Sequence, residues 1–185
     1  MNTEAFSGQL VRLVAADLEN DPALFAQWDQ DSEYQRLFND DFARRYNPAQ
    51  IKKYLEDELE SMHFFVIERL EDGRKIGMID LSGFNWVVGN AWVGIGIGER
   101  EMWGKGYGSD AMRIILRYAF EELNLRRVTL SVFSVNRRGI ASYEKVGFRQ
   151  EGTIPGALLK AGQRCDLIFM GILRQEWEEL EKNGR

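Results

Sequence analysis

The chain has 185 residues, of which 44% are apolar and 29% charged, and its net charge is −5. That size and balance fit one domain and exclude a disordered polyelectrolyte, while the longest apolar runs, 92–98 and 167–173, fall far short of the ~20 residues of a membrane span. One cysteine (Cys165) and one histidine (His63) exclude a disulfide framework and a Cys/His zinc site, so no metal is expected, and the lack of an export signal at the start makes cytoplasm the expected location.

Leu10–Val14 alternates in polarity as a first strand does. Asp21-Pro22 reads as an N-cap followed by a helical proline, with Leu24, Phe25 and Trp28 as the apolar stripe behind it. Residues 31–46 are polar, aromatic and poorly periodic, which predicts a loop or a short helix. Asn47-Pro48, with Gln50 placed to close a capping box, starts a helix to about Glu60 with Ile51, Tyr54, Leu55 and Leu59 on one face. This first third is acidic: residues 1–61 hold 13 Asp and Glu against 6 Lys and Arg, while 62–185 hold 16 against 18. No dense Lys/Arg cluster appears, which argues against a nucleic-acid partner. An acidic surface either attracts a cation or is simply solvated.

From Phe64 the pattern changes to strands. Phe64–Leu70 and Lys75–Leu81 read as a hairpin whose turn contains Asp72-Gly73, and Phe84–Asn90 reads as a second turn before a strand at Ala91–Ile97. A helix is predicted from about Gly108 to Leu123, with Ala111, Ile114, Ile115, Tyr118 and Ala119 at helical spacing, and then a strand at Arg127–Ser134. Strand, loop, helix and strand at this length make a βαβ crossover, so its strands should be parallel. A short helix at Asn136–Val146, a hairpin of Phe148–Leu159 and Cys165–Leu173, and a charged helix complete the chain. The expected fold is α/β with a mixed sheet, in one domain over 1–185.

Six of the 18 glycines fall at 94, 96, 98, 104, 106 and 108, between a strand and a helix. Missing side chains let backbone N–H groups converge on an anion, and the helix N-terminus adds its dipole. The same glycines also serve a tight strand-to-helix turn. The spacing matches neither a P-loop nor a dinucleotide fingerprint: five residues separate Gly98 from Gly104, and Gly106 follows Lys105.

Gly104-Lys105-Gly106-Tyr107-Gly108, opening a helix after a strand, resembles the acetyl-CoA loop of the GNAT superfamily of N-acetyltransferases. Downstream, Asn136-Arg137-Arg138 followed by Tyr143-Glu144-Lys145-Val146-Gly147-Phe148 resembles the superfamily's second signature. The element order fits from residue 10 to about 175. Within the superfamily the chain is similar to the branch holding ribosomal-protein N-terminal and spermidine acetyltransferases. One departure is Trp103, which stands where the loop usually begins with Gln or Arg.

The resemblance implies a mostly antiparallel sheet of six or seven strands, one parallel pair flanking the loop, and helices on both faces. It implies that residues 62–185 form the acetyl-CoA core and 1–61 an acceptor side. Acetyl transfer to a primary amine, a small molecule or a protein N-terminus, would follow by direct attack in a ternary complex. The implied cofactor contacts are Gly96, Ile97, Gly98, Trp103, Gly104, Lys105, Gly106, Tyr107, Gly108, Ser109, Asn136, Arg138 and Tyr143. Tyr143 matches the tyrosine that protonates the departing thiolate, and Asn136 the asparagine that bonds the cofactor arm; packing on the sheet and helix capping are their structural alternatives. Asp80 is a candidate base, Glu99 a weaker one, and Tyr34 with Phe38 and Phe42 a candidate acceptor wall beside Asp31, Glu33, Asp40 and Asp41. Dimers are common in the superfamily, so a homodimer is admitted with no interface legible. A second reading is a catalytically silent CoA-binding module.

Overall fold

The structure, a computed structural model, describes residues 4–184. Seven strands form one sheet in the order β1-β2-β3-β4-β5-β7-β6. They are β1 (Val11–Val14), β2 (His63–Arg69), β3 (Lys75–Asn85), β4 (Asn90–Ile97), β5 (Arg127–Phe133), β6 (Arg149–Lys160) and β7 (Gln163–Leu173). All neighbours run antiparallel except β4 and β5.

That parallel pair sets up the site. It pairs at Asn90↔Arg127, Ala91↔Val128 and Trp92↔Thr129, and there it stops. Beyond Trp92, β4 stays with β3 as far as Gly77↔Ile97, while β5 stays with β7 as far as Phe133↔Leu167. Each strand follows its antiparallel partner, so the two diverge toward the glycine loop and open a wedge in the sheet.

Helices cover both faces. On one lie α1 (Asp21–Trp28), α2 (Ser32–Phe38) and α3 (Pro48–Glu58), packed through Phe25, Trp28, Tyr34, Ile51 and Leu55 against Val66. The other carries α4 (Tyr107–Arg117), α5 (Arg137–Lys145) and α6 (Arg174–Lys182). There α4 buries Ala111, Met112, Ile114, Ile115 and Leu116. Each large aliphatic among them contributes about 1.5–3 kcal/mol. At the mouth of α4, Asp110 accepts the backbone N–H groups of Gln9, Leu10 and Val11, tying β1 to the loop helix.

The capping box of α3 forms as expected, with Asn47 and Gln50 bonding each other's backbone N–H groups. The start of α1 differs: Asn20 is the N-cap, and Asp21 lies inside the first turn. Asp21 is buried, where it accepts Lys75 Nζ (2.5 Å) and the Asp17 N–H (2.8 Å). This tertiary ion pair displaces the local cap. Within 31–46 the chain forms the short α2, which Asp31 caps by accepting the N–H groups of Glu33 and Tyr34. Strand β3 runs four residues past the expected Leu81, because Gly83, at φ 56°, lets the Trp92 ring close over an irregular pairing. The helix expected to reach Leu123 changes after Arg117 into a π turn, Tyr118–Glu122. The wider turn lets Tyr118 bond His63 (2.7 Å) while Phe120 packs on Trp177.

Candidate active site

The wedge between β4 and β5 opens into a cleft of about 320 Å³. Its floor is the loop before α4. Gly104 (φ 75°) and Gly106 (φ 92°) both adopt the left-handed conformation that favours glycine. A Cβ at Gly104 would meet nothing within 4 Å among the described residues, so the loop leaves room beside its backbone. Among the described residues the N–H groups from Gly106 to Ser109 donate to no backbone acceptor, and they lie at the positive end of the α4 dipole. This cradle suits a pyrophosphate.

The wall along β4 follows from strand alternation. Gly98 N–H donates to Ile76 O (2.9 Å) on β3. Neighbouring residues therefore turn their polar groups the other way, into the wedge. Trp103 reads this directly: its Nε1 donates to Ile97 O (2.6 Å). The backbone groups facing the cleft are those of Ile95 and Ile97, and an extended amide-bearing arm would find its partners there. Gly94, Gly96 and Gly98 serve the opposite purpose. A Cβ at Gly98 would collide with the Trp28 ring, one at Gly96 with Tyr34 and Phe38, and one at Gly94 with the Asp80 carboxylate. These glycines let the α1–α2 layer and Asp80 sit down on β4.

The far wall comes from α5. Asn136 caps the helix by accepting Gly139 N–H (3.0 Å), and its amide nitrogen bonds to no protein group among the described residues. The Arg138 guanidinium lies over the Trp103 indole, 3.8 Å from the ring centroid, with Arg100 over the same ring at 5.1 Å. Burial pulls the Arg138 pKa down from its usual value. It makes no ion pair among the described residues, so the guanidinium is available to a phosphate in the cleft. Tyr143 is half-buried, edge-on to Phe148, and its hydroxyl bonds to no protein group among the described residues. Burial pushes this phenol up to about 12, against a smaller opposing pull from Arg138. It is a proton donor at neutral pH.

Gly96, Ile97, Trp103, Gly104, Gly106, Tyr107, Gly108, Ser109, Asn136, Arg138 and Tyr143 all line this cleft. Lys105 is exposed and lies off its wall, as does Gly98. Ile95, Ser142 and Lys145 also line it; Ser142 Oγ sits 2.8 Å from Ser109 Oγ. Only strand alternation could have revealed Ile95, and only α5 periodicity the other two.

A second cavity of about 470 Å³ lies on the α1–α3 face of the sheet. Seven aromatic residues line it, among them Tyr34, Phe38 and Phe42, together with Asp29, Asp40, Asp41, Glu58 and Asp80. Asp80 stands on β3 opposite Gly94, and burial pushes its pKa up to about 6, against a smaller effect of Ser82. Burial also raises Asp29. Arg44 sits 3.1 Å from Asp41. The loop 39–41 is held down by Lys160, a buried ammonium that donates to the carbonyls of Asn39 and Asp41 and lies over the Phe133 ring. Asp31 and Glu33 face elsewhere, clasped by Arg100 at 2.6 Å each. Glu99 accepts Trp28 Nε1 (3.0 Å) and pairs with Arg74. Tyr34 and Phe38 line both cavities and form the partition between them.

A seven-stranded sheet wedged open beside a glycine-cradled helix N-terminus is the architecture of a CoA-dependent acyltransferase. Residues 11–149 match the family described as "Acetyltransferase (GNAT) domain", and the chain belongs to that family. Among its relatives, Bacillus subtilis (strain 168) "Putative ribosomal N-acetyltransferase YdaF" is 38% identical over 59% of this chain and 59% of its own. Escherichia coli (strain K12) spermidine N(1)-acetyltransferase is 33% identical over 68% of this chain and 64% of its own. The matched stretch thus spans about three fifths of these relatives. A Vibrio cholerae spermidine N-acetyltransferase, solved with CoA and spermine, superposes with a TM-score of 0.82 at 22% identity, covering 91% of this chain and 98% of that one. Among the described residues no helix is long and apolar enough to cross a membrane.

Proposed function

We propose that the protein transfers an acetyl group from acetyl-CoA to the primary amine of a small cation held in the acidic cavity. One observation carries this reading: a cleft with an anion cradle and a free phenol shares the Tyr34–Phe38 partition with a cavity lined by carboxylates and aromatic rings. Bound acetyl-CoA supplies an activated acetyl carbon. The cradle from Gly104 to Ser109 and the Arg138 guanidinium hold its pyrophosphate, while Ile95 and Ile97 align its arm along β4. Asp80 takes the ammonium proton, because a carboxylate near 6 is ionised at neutral pH yet basic enough to accept it. Tyr143 returns a proton to the departing thiolate; its phenol, well above the roughly 8.5 of a thiol, is fully protonated beforehand.

The cavity's carboxylates and aromatic faces suit ammonium groups by charge and by cation–π contact. A polyamine is the first acceptor to try, in keeping with the names of two relatives. A protein N-terminus is the second. Thiol release from acetyl-CoA, measured against a panel of polyamines, monoamines and short peptides, tests the reading. Turnover is expected for at least one amine, with Tyr143→Phe lowering it about 100-fold while acetyl-CoA affinity is nearly unchanged. Tight CoA binding with no turnover on any amine would favour a silent CoA-binding module instead.

A further inference from the structure

The Tyr34 hydroxyl has no hydrogen-bond partner among the described residues, although the residue is 97% buried, its exposure being 3%. A buried hydroxyl left unpaired is a net cost to the fold. Phenylalanine would stack on Phe38 equally well, since the two rings lie parallel with centroids 5.4 Å apart. Packing therefore accounts for the ring and leaves the hydroxyl unexplained.

Its position supplies a use. The oxygen abuts Gly96, lying 2.7 Å from where a Cβ there would stand, on the partition between the two cavities. One pleat repeat along the same face of β4, roughly 7 Å away, Gly94 makes room for the Asp80 carboxylate. A proton acceptor and a proton-bearing oxygen thus stand about one pleat repeat apart on one face of β4, where the proposed function brings amine and thioester together. Burial, and the nearby Asp29, push the Tyr34 phenol well above its ordinary value, so it stays a donor.

Resting on the proposed function, we infer that Tyr34 is a further catalytic residue, whose hydroxyl donates a hydrogen bond to the acetyl carbonyl oxygen as negative charge develops there. The amine nitrogen, having lost one proton to Asp80, attacks the carbonyl carbon, and the C=O electron pair moves to the oxygen facing Tyr34. That pair returns as the C–S bond breaks, and the sulfur takes its proton from Tyr143. The nitrogen sheds a second proton to solvent, Asp80 releases the one it took, and Tyr143 regains one. The net change is ammonium plus thioester to amide, thiol and one proton. Phe38 covers the same stretch of β4. The proposed hydrogen bond requires the Phe38 ring to turn aside and uncover the hydroxyl.

Tyr34→Phe removes the one atom at issue and keeps the ring. Three measurements are made on it: thermal midpoint, calorimetric affinity for acetyl-CoA and for CoA, and steady-state turnover with the best amine. The expected result is an equal or higher midpoint, because no protein hydrogen bond is lost. The wild type should favour acetyl-CoA over CoA by about fivefold, the worth of one hydrogen bond, and the variant should lose that preference. Its kcat should fall about 100-fold with little change in the amine KM. A lowered midpoint would assign the hydroxyl a structural role and overturn the inference. So would an unchanged kcat and preference in the variant of an active wild type, which leaves the proposed function standing. A wild type that acetylates no amine overturns both.

Discussion

The two cavities on either side of the Tyr34–Phe38 partition are built in opposite ways. The cleft proposed for the cofactor is made largely of backbone: N–H groups at the start of α4, the edge of β4 that parts from β5, and glycines at φ 75° and 92°. Its residues lie in one stretch, 95–145, apart from the α2 wall. The cavity proposed for the acceptor is made of side chains drawn from α1, α2, the 39–46 loop, α3, β2 and β3, with Lys160 of β6 tying down its rim. A backbone site suits a ligand whose chemistry never changes, since peptide dipoles are the same whatever the sequence. A side-chain site can be retuned residue by residue. One fold can therefore keep its acyl donor fixed while its acceptor varies.

The largest expected effect falls on the acceptor side. Asp80→Asn should lower kcat/KM for the amine by about 10²–10⁴, the range of a general base, and leave the affinity for acetyl-CoA intact. In the wild type this rate should fall as pH drops through about 6, where Asp80 takes up its proton. The same residue makes an opposite prediction for stability. Its folded pKa lies above the unfolded value near 3.9, so the fold gains stability as pH falls from 6 toward 4 and loses it as pH rises through 6. Denaturant melts should therefore show Asp80→Asn more stable than wild type at pH 8, with the gap closing by pH 4. A wild type of constant relative stability would remove the buried charge from the account.

A smaller effect, confined to the donor side, is expected for Arg138→Ala. The dissociation constant for CoA should rise about tenfold, the worth of one charge-assisted hydrogen bond, while 3′-dephosphorylated CoA tests whether the pyrophosphate is the group concerned. Equal weakening for both ligands places Arg138 at the pyrophosphate. Smallest of all, Lys160→Met should raise the amine KM several-fold by loosening the 39–41 loop, with calorimetry showing no change for CoA. If either variant moves both ligands alike, the two sites are less separate than their construction implies.

The same contrast explains what was legible in the sequence. The Gly104-Lys105-Gly106-Tyr107-Gly108 run advertises its loop because positive φ demands glycine, and the parallel pair follows from crossover length alone. Asn136 and Tyr143 stood out within a contiguous motif. Tyr34 and Asp80 could be named only as candidates, because nothing local shows that Gly94 and Gly96 make room for them. The role of Trp103 was hidden for a related reason. Its partners, Ile97 O and the Arg138 face, come from a strand and a helix that meet only in the folded chain. Lys160 and Asp110 gave no signal at all. Each holds backbone atoms about 100 or more residues away, a pairing that carries no periodicity.

Lys160 also bears on the order in which the molecule is completed. Its ammonium joins β6 to carbonyls at Asn39 and Asp41, across separations of 121 and 119 residues. Contacts this distant in the chain close large loops and form late. A chain emerging from the ribosome can complete neither the wedge, whose β5 side is held by β7, nor the Lys160 latch on the 39–41 loop until its last hairpin has been made. Both cavities would thus be finished by the same last segment of the chain.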